Sequence, residues 1–408
     1  MKIFNRKLKI TSFALLTLCM VFVMTACAEN SSQSEKSQPA EQTTVQPTTM
    51  SAEEINDRKL DKFISDMTLE EKVGQMFFVR CPDEDAVQHV SEYNIGGYIL
   101  FGRDFDGKTK DEVVDDIHSY QNEADIPLLI GVDEEGGTVV RVSSNPNLRE
   151  TPFLSPKDTY ADGGWDAVKQ DAEEKADLLL SLGINVNLAP VCDMTSDKYG
   201  FMYDRSFSSD VDMENRYVRT VVETSKSKKL GTVLKHFPGY GNNSDTHTGI
   251  AYDDRDCSEF ENTDFKPFYQ GIESGADCIL VSHNIVNCMD SEYPASLSQK
   301  VHDILRNEFK FDGVIMTDDL IMDAITDFTG DEAAAVTAAK CGNDLLCCSS
   351  VDTQYPAVLE AVQNGEISEA QVDASVKRIL KWKQNLGIFN IDTYQKKVRT
   401  TDPTDATE

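Results

Sequence analysis

The sequence predicts an α/β fold, a (β/α)8 TIM-like barrel formed by a single domain. Eight short apolar runs alternate with longer helical patterns along the chain, as expected for a closed parallel barrel. The predicted strands are residues 76–79, 97–101, 128–132, 184–189, 232–234, 278–281, 314–316 and 345–348. An open doubly wound sheet is the alternative, but no glycine-rich dinucleotide-binding motif follows the first strand.

The first 50 residues are predicted to lie outside the barrel. Residues 1–26 join a basic start to an apolar run and end in small residues before Cys27, the layout of a lipoprotein signal peptide. An ordinary signal peptide with an incidental cysteine is the alternative. Residues 27–50 are rich in Ser, Gln, Thr, Pro and Glu, which indicates a disordered tether. We therefore expect a protein lipid-anchored through Cys27 on the extracytoplasmic face of the cell membrane.

The barrel domain is predicted to span residues 51–392, followed by a flexible tail at 393–408. Thr68 and Glu71 form a capping-box pattern that opens an early helix. Ser368 with Gln371 repeats this pattern before the last amphipathic helix, which is expected to end near Gly387.

Charge and cysteine usage narrow the range of partners. The net charge of −31 disfavours nucleic acid, whose phosphates would be repelled, so contact with a membrane is expected through the lipid anchor only. The eight cysteines beyond residue 27 show no CxxC spacing, which predicts no metal site. So many thiols in an exported protein suggest reducing surroundings, although disulfides stay open. No cofactor is expected.

Polar side chains stand at the ends of several predicted strands. In a parallel barrel all such positions fall on the same face, where the site of a barrel enzyme lies. Any one of them has an ordinary structural explanation, but together they indicate a functional site. The residues are Arg103, Asp133, Asp193, Lys235, His236, His283 and Asp318.

Two of the loops carry residues suited to acid/base and nucleophilic chemistry. Asp245 precedes His247 by two residues on a glycine-rich loop, and a carboxylate near an imidazole orients it and stabilises its protonated form. Asp318 and Asp319 follow a later strand and offer a carboxylate nucleophile. A proton shuttle facing an acidic nucleophile indicates cleavage of glycosidic bonds. Adjacent residues of a strand point in opposite directions, so one of the two aspartates should face the pocket, and the residues alone leave that choice open.

With these loops in place, the chain resembles glycoside hydrolase family 3, in particular its short single-barrel β-N-acetylglucosaminidases. The resemblance runs from about residue 69 to 389. It rests on an ordered series of motifs: LFGR at 100–103, GVDEEGG at 131–137, NLAPVCD at 187–193, RSF at 205–207, KHFPG at 235–239, DTH at 245–247, PASL at 294–297 and TDDL at 317–320.

The resemblance implies roles for individual residues. It makes Asp318 the nucleophile of a retaining reaction and His247, paired with Asp245, the acid/base. It assigns substrate binding to Asp133, Arg141, Arg205, Lys235 and His236. Two departures from the family pattern affect the acid/base loop: Tyr240 replaces a frequent histidine, and the segment before Asp245 is one residue shorter.

The expected activity is exo-acting release of terminal N-acetylglucosamine from β-linked cell-wall or chitin-type oligosaccharides through a covalent glycosyl-enzyme. The family's β-glucosidases and β-xylosidases generally carry a C-terminal sandwich domain that supplies the acid/base, and the resemblance implies that this chain has none. Those activities remain an alternative, as do an N-acetylglucosaminide phosphorylase and a lipoprotein that binds glycans without cleaving them.

Overall fold

The computed structural model of the chain describes residues 50–243, 246, 249–329 and 331–397. The predicted signal peptide, Cys27, almost all of the tether, Asp245, His247 and most of the tail therefore lie outside the described residues. No helix within the described ranges combines the length and the apolar character that crossing a membrane requires.

The described strands follow the eight predicted apolar runs and add two short ones. In chain order they are β1 (Phe77–Arg80), β2 (Gly97–Leu100), β3 (Leu129–Val132), β4 (Val186–Asn187), β5 (Gly231–Phe237), β6 (Tyr252–Asp253), β7 (Cys278–Val281), β8 (Ile285–Val286), β9 (Val314–Thr317) and β10 (Leu346–Cys348). β6 and β8 pair with each other outside the main sheet.

The other eight strands form one parallel sheet in the order β10-β1-β2-β3-β4-β5-β7-β9. A parallel bridge between Met316 and Leu345 joins the two ends of this order, so the sheet closes on itself. The prediction of a (β/α)8 barrel is confirmed. Because all eight strands are parallel, their carboxyl ends meet at one mouth of the barrel.

Helices surround the barrel. They are α1 (Ala52–Ser65), α2 (Leu69–Gln75), α3 (Ala86–Tyr93), α4 (Gly102–Phe105), α5 (Lys110–Glu123), α6 (Pro156–Ser181), α7 (Val211–Lys228), α8 (Cys257–Asn262), α9 (Phe265–Glu273), α10 (Gln299–Asp303), α11 (Asp323–Thr329), α12 (Asp331–Lys340), α13 (Val351–Gln363) and α14 (Glu369–Leu386). The predicted capping box forms at α2, where Thr68 and Glu71 each accept the other's backbone N–H. At α14, Gly387 ends the helix at φ 78°, as predicted, and the Ser368 side chain accepts the N–H of Gln371. The capping box predicted there is only half formed, because the Gln371 side chain donates to the carbonyl of Ala339.

The core is divided by the alternation of side chains along the strands. In β1, Phe77 and Val79 pack with the surrounding helices, whereas Phe78 points to the barrel interior with Ile99 and Leu129. Trp382 of α14 belongs to the interior cluster as well, so α14 packs against the end of the barrel opposite the site.

The cysteines are not all reduced thiols, which corrects the expectation of reducing surroundings drawn from their number. Cys257 at the start of α8 and Cys288 after β8 form a disulfide with their Cα atoms 5.5 Å apart. The six other cysteines in the described part of the chain are buried and unbridged. The bridge fastens the segment after β6 to the segment after β8.

Candidate active site

A cavity of about 320 Å³ opens among the carboxyl ends of the barrel strands. It is lined by Asp318 and by all five side chains expected to bind substrate, together with acidic, basic and apolar residues that the sequence did not single out. Among the described residues, the ionisable side chains that line it are Arg80, Asp133, Glu135, Arg141, Arg205, Lys235, His236, Asp318 and Asp319. A smaller cavity of about 240 Å³, between α1, α2 and Tyr394, is mostly apolar and lies away from the strand ends.

Lys235 lies at the centre of this cavity's charge network. It belongs to β5, and its side chain is 2 % exposed. Its Nζ lies 2.7 Å from Oδ1 of Asp133 and 2.6 Å from Oε1 of Glu135. Burial would lower the pKa of Lys235, but these two carboxylates outweigh burial and raise the pKa above its usual value. Lys235 is therefore a fixed positive charge pointing at the cavity.

Glu135 also binds Arg205, through both of its oxygens. Arg205 donates from Nε to Oε2 at 2.9 Å and from Nη2 to Oε1 at 2.8 Å, the two-pronged geometry that suits guanidinium and carboxylate. Burial would raise the pKa of Glu135, but the charges of Lys235 and Arg205 outweigh burial and hold the pKa well below its usual range. Glu135 is thus an ionised acceptor that fixes two cations, and it is not a proton donor.

His236 is oriented from both sides of its ring. Nδ1 lies 2.6 Å from Oδ2 of Asp193, and Nε2 lies 3.2 Å from Nη2 of Arg205. A guanidinium only donates hydrogen bonds, so Nε2 accepts and the ring proton resides on Nδ1, donated to Asp193. Asp193, 1 % exposed and also among the strand-end predictions, acts here behind the cavity wall by holding the imidazole.

Asp133 and Arg141 complete the binding face. Oδ2 of Asp133 lies 3.8 Å from Nη2 of Arg141. The loop that carries Arg141 is held by Glu134, whose Oε2 accepts the backbone N–H of Arg141 at 2.9 Å and that of Val142 at 2.7 Å. Glu134 and Glu135 are adjacent but have different roles. Glu134 binds the backbone of a loop, whereas Glu135 binds Lys235 and Arg205.

Asp318 and Asp319 follow β9, and both reach the cavity, which corrects the expectation that only one would do so. The strand ends at Thr317, so the strict alternation of side chains does not extend to these two residues. Asp319 is held by Ser349, whose hydroxyl donates at 2.6 Å, and by the N–H of Ile321 at 3.2 Å. Burial raises the pKa of Asp319. Asp318 accepts the backbone N–H of Asp319 through Oδ1 at 2.9 Å.

Two other strand-end predictions do not line the cavity. Arg103 lies in α4, where it pairs with Asp83 at 2.7 Å and donates to the carbonyl of Cys81. His283 is completely buried and contacts the Ser296 hydroxyl at 2.7 Å and the Asp319 backbone oxygen at 3.1 Å. His283 therefore supports the segment of the aspartates from behind. Within the described ranges, no group of three or more His, Cys, Asp or Glu side chains is arranged to hold a metal ion.

Sequence reasoning missed two of the charged residues that line the cavity. Glu135 stands in the GVDEEGG motif, but it lies beyond the end of β3 at Val132, where strand alternation gives no signal that separates it from Glu134. Arg80 is the last residue of β1, just beyond the run predicted to end at 79, and its guanidinium stacks 4.5 Å over the Phe101 ring.

The described fold and cavity agree with comparisons to known proteins. Residues 68–382 match the glycosyl hydrolase family 3 N-terminal domain. The chain belongs to glycosyl hydrolase family 3. The resemblance inferred from its motifs is confirmed, and the family 3 match covers every described residue of the cavity.

Named relatives of this family 3 chain are similar over most of its length. A β-hexosaminidase of Hydrogenovibrio crunogenus is 31 % identical over 286 residues, which cover 68 % of this chain and 79 % of the relative. A family 3 β-N-acetylglucosaminidase structure from Paenibacillus sp. is 29 % identical with a TM-score of 0.74, covering 84 % of this chain and 66 % of that one. A β-N-acetylhexosaminidase structure from Beutenbergia cavernae is 25 % identical with a TM-score of 0.71, covering 78 % of this chain and 99 % of that one.

Proposed function

We propose that this chain is a β-N-acetylhexosaminidase that removes terminal N-acetylglucosamine from β-linked oligosaccharides. One observation carries the proposal: Asp318 opens onto the same cavity as Asp133, Arg141, Lys235 and His236, in a family whose relatives are named for this activity. Charged side chains held in fixed geometry suit the hydroxyl and amide groups of a sugar, because each hydroxyl needs both a donor and an acceptor.

The size of the cavity supports cleavage at the end of a glycan. A volume of about 320 Å³ lies at the low end of the range of roughly 300–1,000 Å³ that ligand pockets span. Such a cavity suits one sugar residue with its acetamido group, with the rest of the glycan outside. Exo-acting release of a single terminal residue follows from this fit.

Asp318 is the proposed nucleophile. Its carboxylate attacks the anomeric carbon while the leaving oxygen takes a proton, so that a glycosyl ester forms and the glycosidic bond breaks. Water then attacks the same carbon, gives up a proton and releases the carboxylate, with net retention of configuration. Asp319 is less suited, because Ser349 and the N–H of Ile321 already occupy its oxygens and burial favours its neutral form.

The proposed acid/base is His247, oriented by Asp245. Both residues lie outside the described part of the chain, so the assignment rests on their sequence and on the resemblance to the family. An imidazole with an ordinary pKa of about 6.5 can donate and recover a proton near neutral pH.

The test is a panel of 4-nitrophenyl glycosides, comparing the N-acetylglucosaminide with the glucoside and xyloside. We expect the N-acetylglucosaminide to be hydrolysed fastest, with the sugar released first as the β-anomer. A faster glucoside or xyloside would assign the chain to those activities. Product that depends on added phosphate would indicate a phosphorylase, and binding without turnover would indicate a glycan-binding protein.

Asp318 and Asp319 provide a matched pair for the nucleophile. A 2-fluoro sugar inactivator should label a peptide at Asp318 in the wild-type protein and in Asp319→Ala. Asp318→Ala should lose turnover and labelling while keeping its unfolding temperature. Labelling at Asp319 would reverse the assignment.

We also propose that Cys27 is lipidated and anchors the protein at the outer face of the cell membrane. Support comes from the basic start, the apolar run and the small residues before Cys27, followed by a polar tether. Cys27→Ala should move the protein from the membrane fraction to the soluble fraction. Unchanged membrane association of that variant would contradict the proposal.

A further inference from the structure

Tyr240 stands where the sequence departs from the family pattern. The residue lies just beyond β5, and it is 2 % exposed. Its ring packs edge-on against His236, with centroids 5.3 Å apart, and against Phe201 at 5.1 Å. Tyr240 does not line the cavity, so it is not placed to touch a bound sugar.

The backbone of Tyr240 is fixed to the carboxylate that orients His236. The N–H of Tyr240 donates to Oδ1 of Asp193 at 2.7 Å, while Oδ2 of the same carboxylate accepts from His236. Because Asp193 is buried and bonded through both oxygens, Tyr240 and His236 share one rigid support.

The hydroxyl of Tyr240 reaches the loop that carries the proposed acid/base. It lies 2.6 Å from Oγ1 of Thr246, which is completely buried. Burial, together with the negative charge of Asp318, raises the pKa of Tyr240, so its hydroxyl keeps its proton. Two buried hydroxyls that satisfy each other form a specific link, because a buried polar atom left without a partner is costly. In the chain, Thr246 is the residue between Asp245 and His247.

We propose that Tyr240 is a positioning residue for proton transfer, tying the acid/base loop to the sugar-binding face through its bond to Thr246. This inference rests on the proposed function, in which His247 donates the proton to the leaving oxygen. The bond fixes the residue between Asp245 and His247 relative to Asp193. Losing it loosens the proton donor and leaves the groups that bind the sugar in place.

The experiment compares two substrates of the full-length protein that differ in their need for protonation. The kcat/KM for a glycoside reports the steps up to the glycosyl-enzyme. Phenyl N-acetylglucosaminide has a poor leaving group that needs a proton, whereas the 2,4-dinitrophenyl glycoside departs with little help. The variants are Tyr240→Phe and Thr246→Val, which each remove one hydroxyl, their double variant, and Thr246→Ser, which keeps the hydroxyl.

Tyr98→Phe is the matched control. Tyr98 is also buried, and its hydroxyl also donates a hydrogen bond, to the carbonyl of Ala86 at 2.6 Å. Its ring packs between the barrel and the surrounding helices, away from the cavity. This variant should leave the ratio of the two kcat/KM values unchanged. The inhibition constant of free N-acetylglucosamine, measured for every variant, reports whether the sugar-binding groups have moved.

We expect Tyr240→Phe and Thr246→Val each to lower kcat/KM for the phenyl glycoside by roughly five- to tenfold, as for one lost hydrogen bond. The dinitrophenyl glycoside should change by less than about twofold, and so should the inhibition constant, because neither depends on the hydrogen-bonded loop. The double variant should be no worse than either single variant, and Thr246→Ser should retain the wild-type ratio.

Equal losses on both substrates would overturn the proposal, since they would indicate a general structural role. No loss on either substrate, or additive losses in the double variant, would overturn it too. Failure of the proposed function is distinguishable, because it would appear in the wild-type protein as absent hydrolysis of both glycosides. The wild-type protein could instead be active while His247→Ala leaves the ratio of the two kcat/KM values unchanged. In that case the assignment of His247 as the acid/base would be wrong.

Discussion

Replacing Lys383 with Met should stabilise the protein at neutral pH and change how its stability depends on pH. Lys383 lies in α14 with no exposed surface, and its Nζ donates to Oε1 of Gln75 at 2.8 Å. Among the described residues no carboxylate lies within 4.0 Å of its Nζ. Burial alone lowers the pKa of Lys383 from 10.5 to about 7.

The size of the effect follows from the two pKa values. Each pH unit between the folded and unfolded values corresponds to about 1.4 kcal/mol, so below pH 7 the buried amine costs about 5 kcal/mol. Between about pH 7 and 10.5 the unfolded chain binds the extra proton, so stability rises with pH by about 1.4 kcal/mol per unit. Above pH 10.5 both states are neutral and the cost is gone.

Lys383→Met removes this cost but leaves the Gln75 oxygen without its donor, a loss of about 1–3 kcal/mol. We therefore expect the variant to be more stable by about 2–3 kcal/mol at pH 7, with the advantage falling to about zero near pH 9. Urea unfolding of both proteins in steps from pH 6.5 to 9.5 measures the difference.

Lys72→Met is the control, because Lys72 is also buried but has a carboxylate partner, Asp373, at 2.7 Å. Its loss should destabilise the protein across the same pH range. A difference between wild type and Lys383→Met that stays constant with pH would refute the reasoning, because it would mean that Lys383 stays protonated in the folded protein, as it does in the unfolded chain.

The remaining predictions concern the cavity and the disulfide. Glu135→Gln removes the carboxylate that binds Arg205 and leaves Lys235 with Asp133 alone, so it should lower the free energy of unfolding by about 3–5 kcal/mol while raising KM. Glu134→Gln, which weakens bonds to uncharged donors only, should cost about 1–3 kcal/mol, and equal losses in the two variants would argue against the ionic role of Glu135. Cys257→Ser opens a link across 31 residues. It should lower the free energy of unfolding by about 3–4 kcal/mol, and a reducing agent should abolish the difference between variant and wild type. A difference that persists in reductant would mean that the cysteine acts through packing.

The sequence was sufficient to predict the barrel because each strand is a short buried run separated from the next by an amphipathic helix. The apolar runs also predicted the ends of the strands to within a few residues. Asp133, Lys235 and Asp318 were therefore correctly predicted to lie at the mouth of the barrel. The small β6–β8 pair was not predicted, because a two-residue strand is too short to show periodicity.

The network inside the cavity was less predictable, because it depends on contacts between residues far apart in the chain. Nothing in the order of residues distinguishes Glu134 from Glu135, yet one holds a loop and the other holds Arg205, 70 residues away. The pairing of Cys257 with Cys288 likewise depends on how β6 and β8 bring their neighbours together. The hydrogen bond between Tyr240 and Thr246 could not be predicted. The sequence showed only that Tyr240 stands where the family often has a histidine.

The described lining of the cavity is close to electrical balance within a strongly acidic protein. Four Lys and Arg side chains accompany four carboxyl groups there, and burial favours the neutral form of one of these, Asp319, whereas the whole chain carries a net charge of −31. A neutral glycan approaching this mouth feels little long-range force, so its association rate should hardly respond to ionic strength. A glycan that carries carboxylates is repelled at distances beyond the cavity, and salt shortens the reach of that repulsion to about 10 Å at 0.1 M. Added salt should therefore accelerate capture of anionic glycans selectively, and the same protein would favour different substrates in dilute and in saline surroundings.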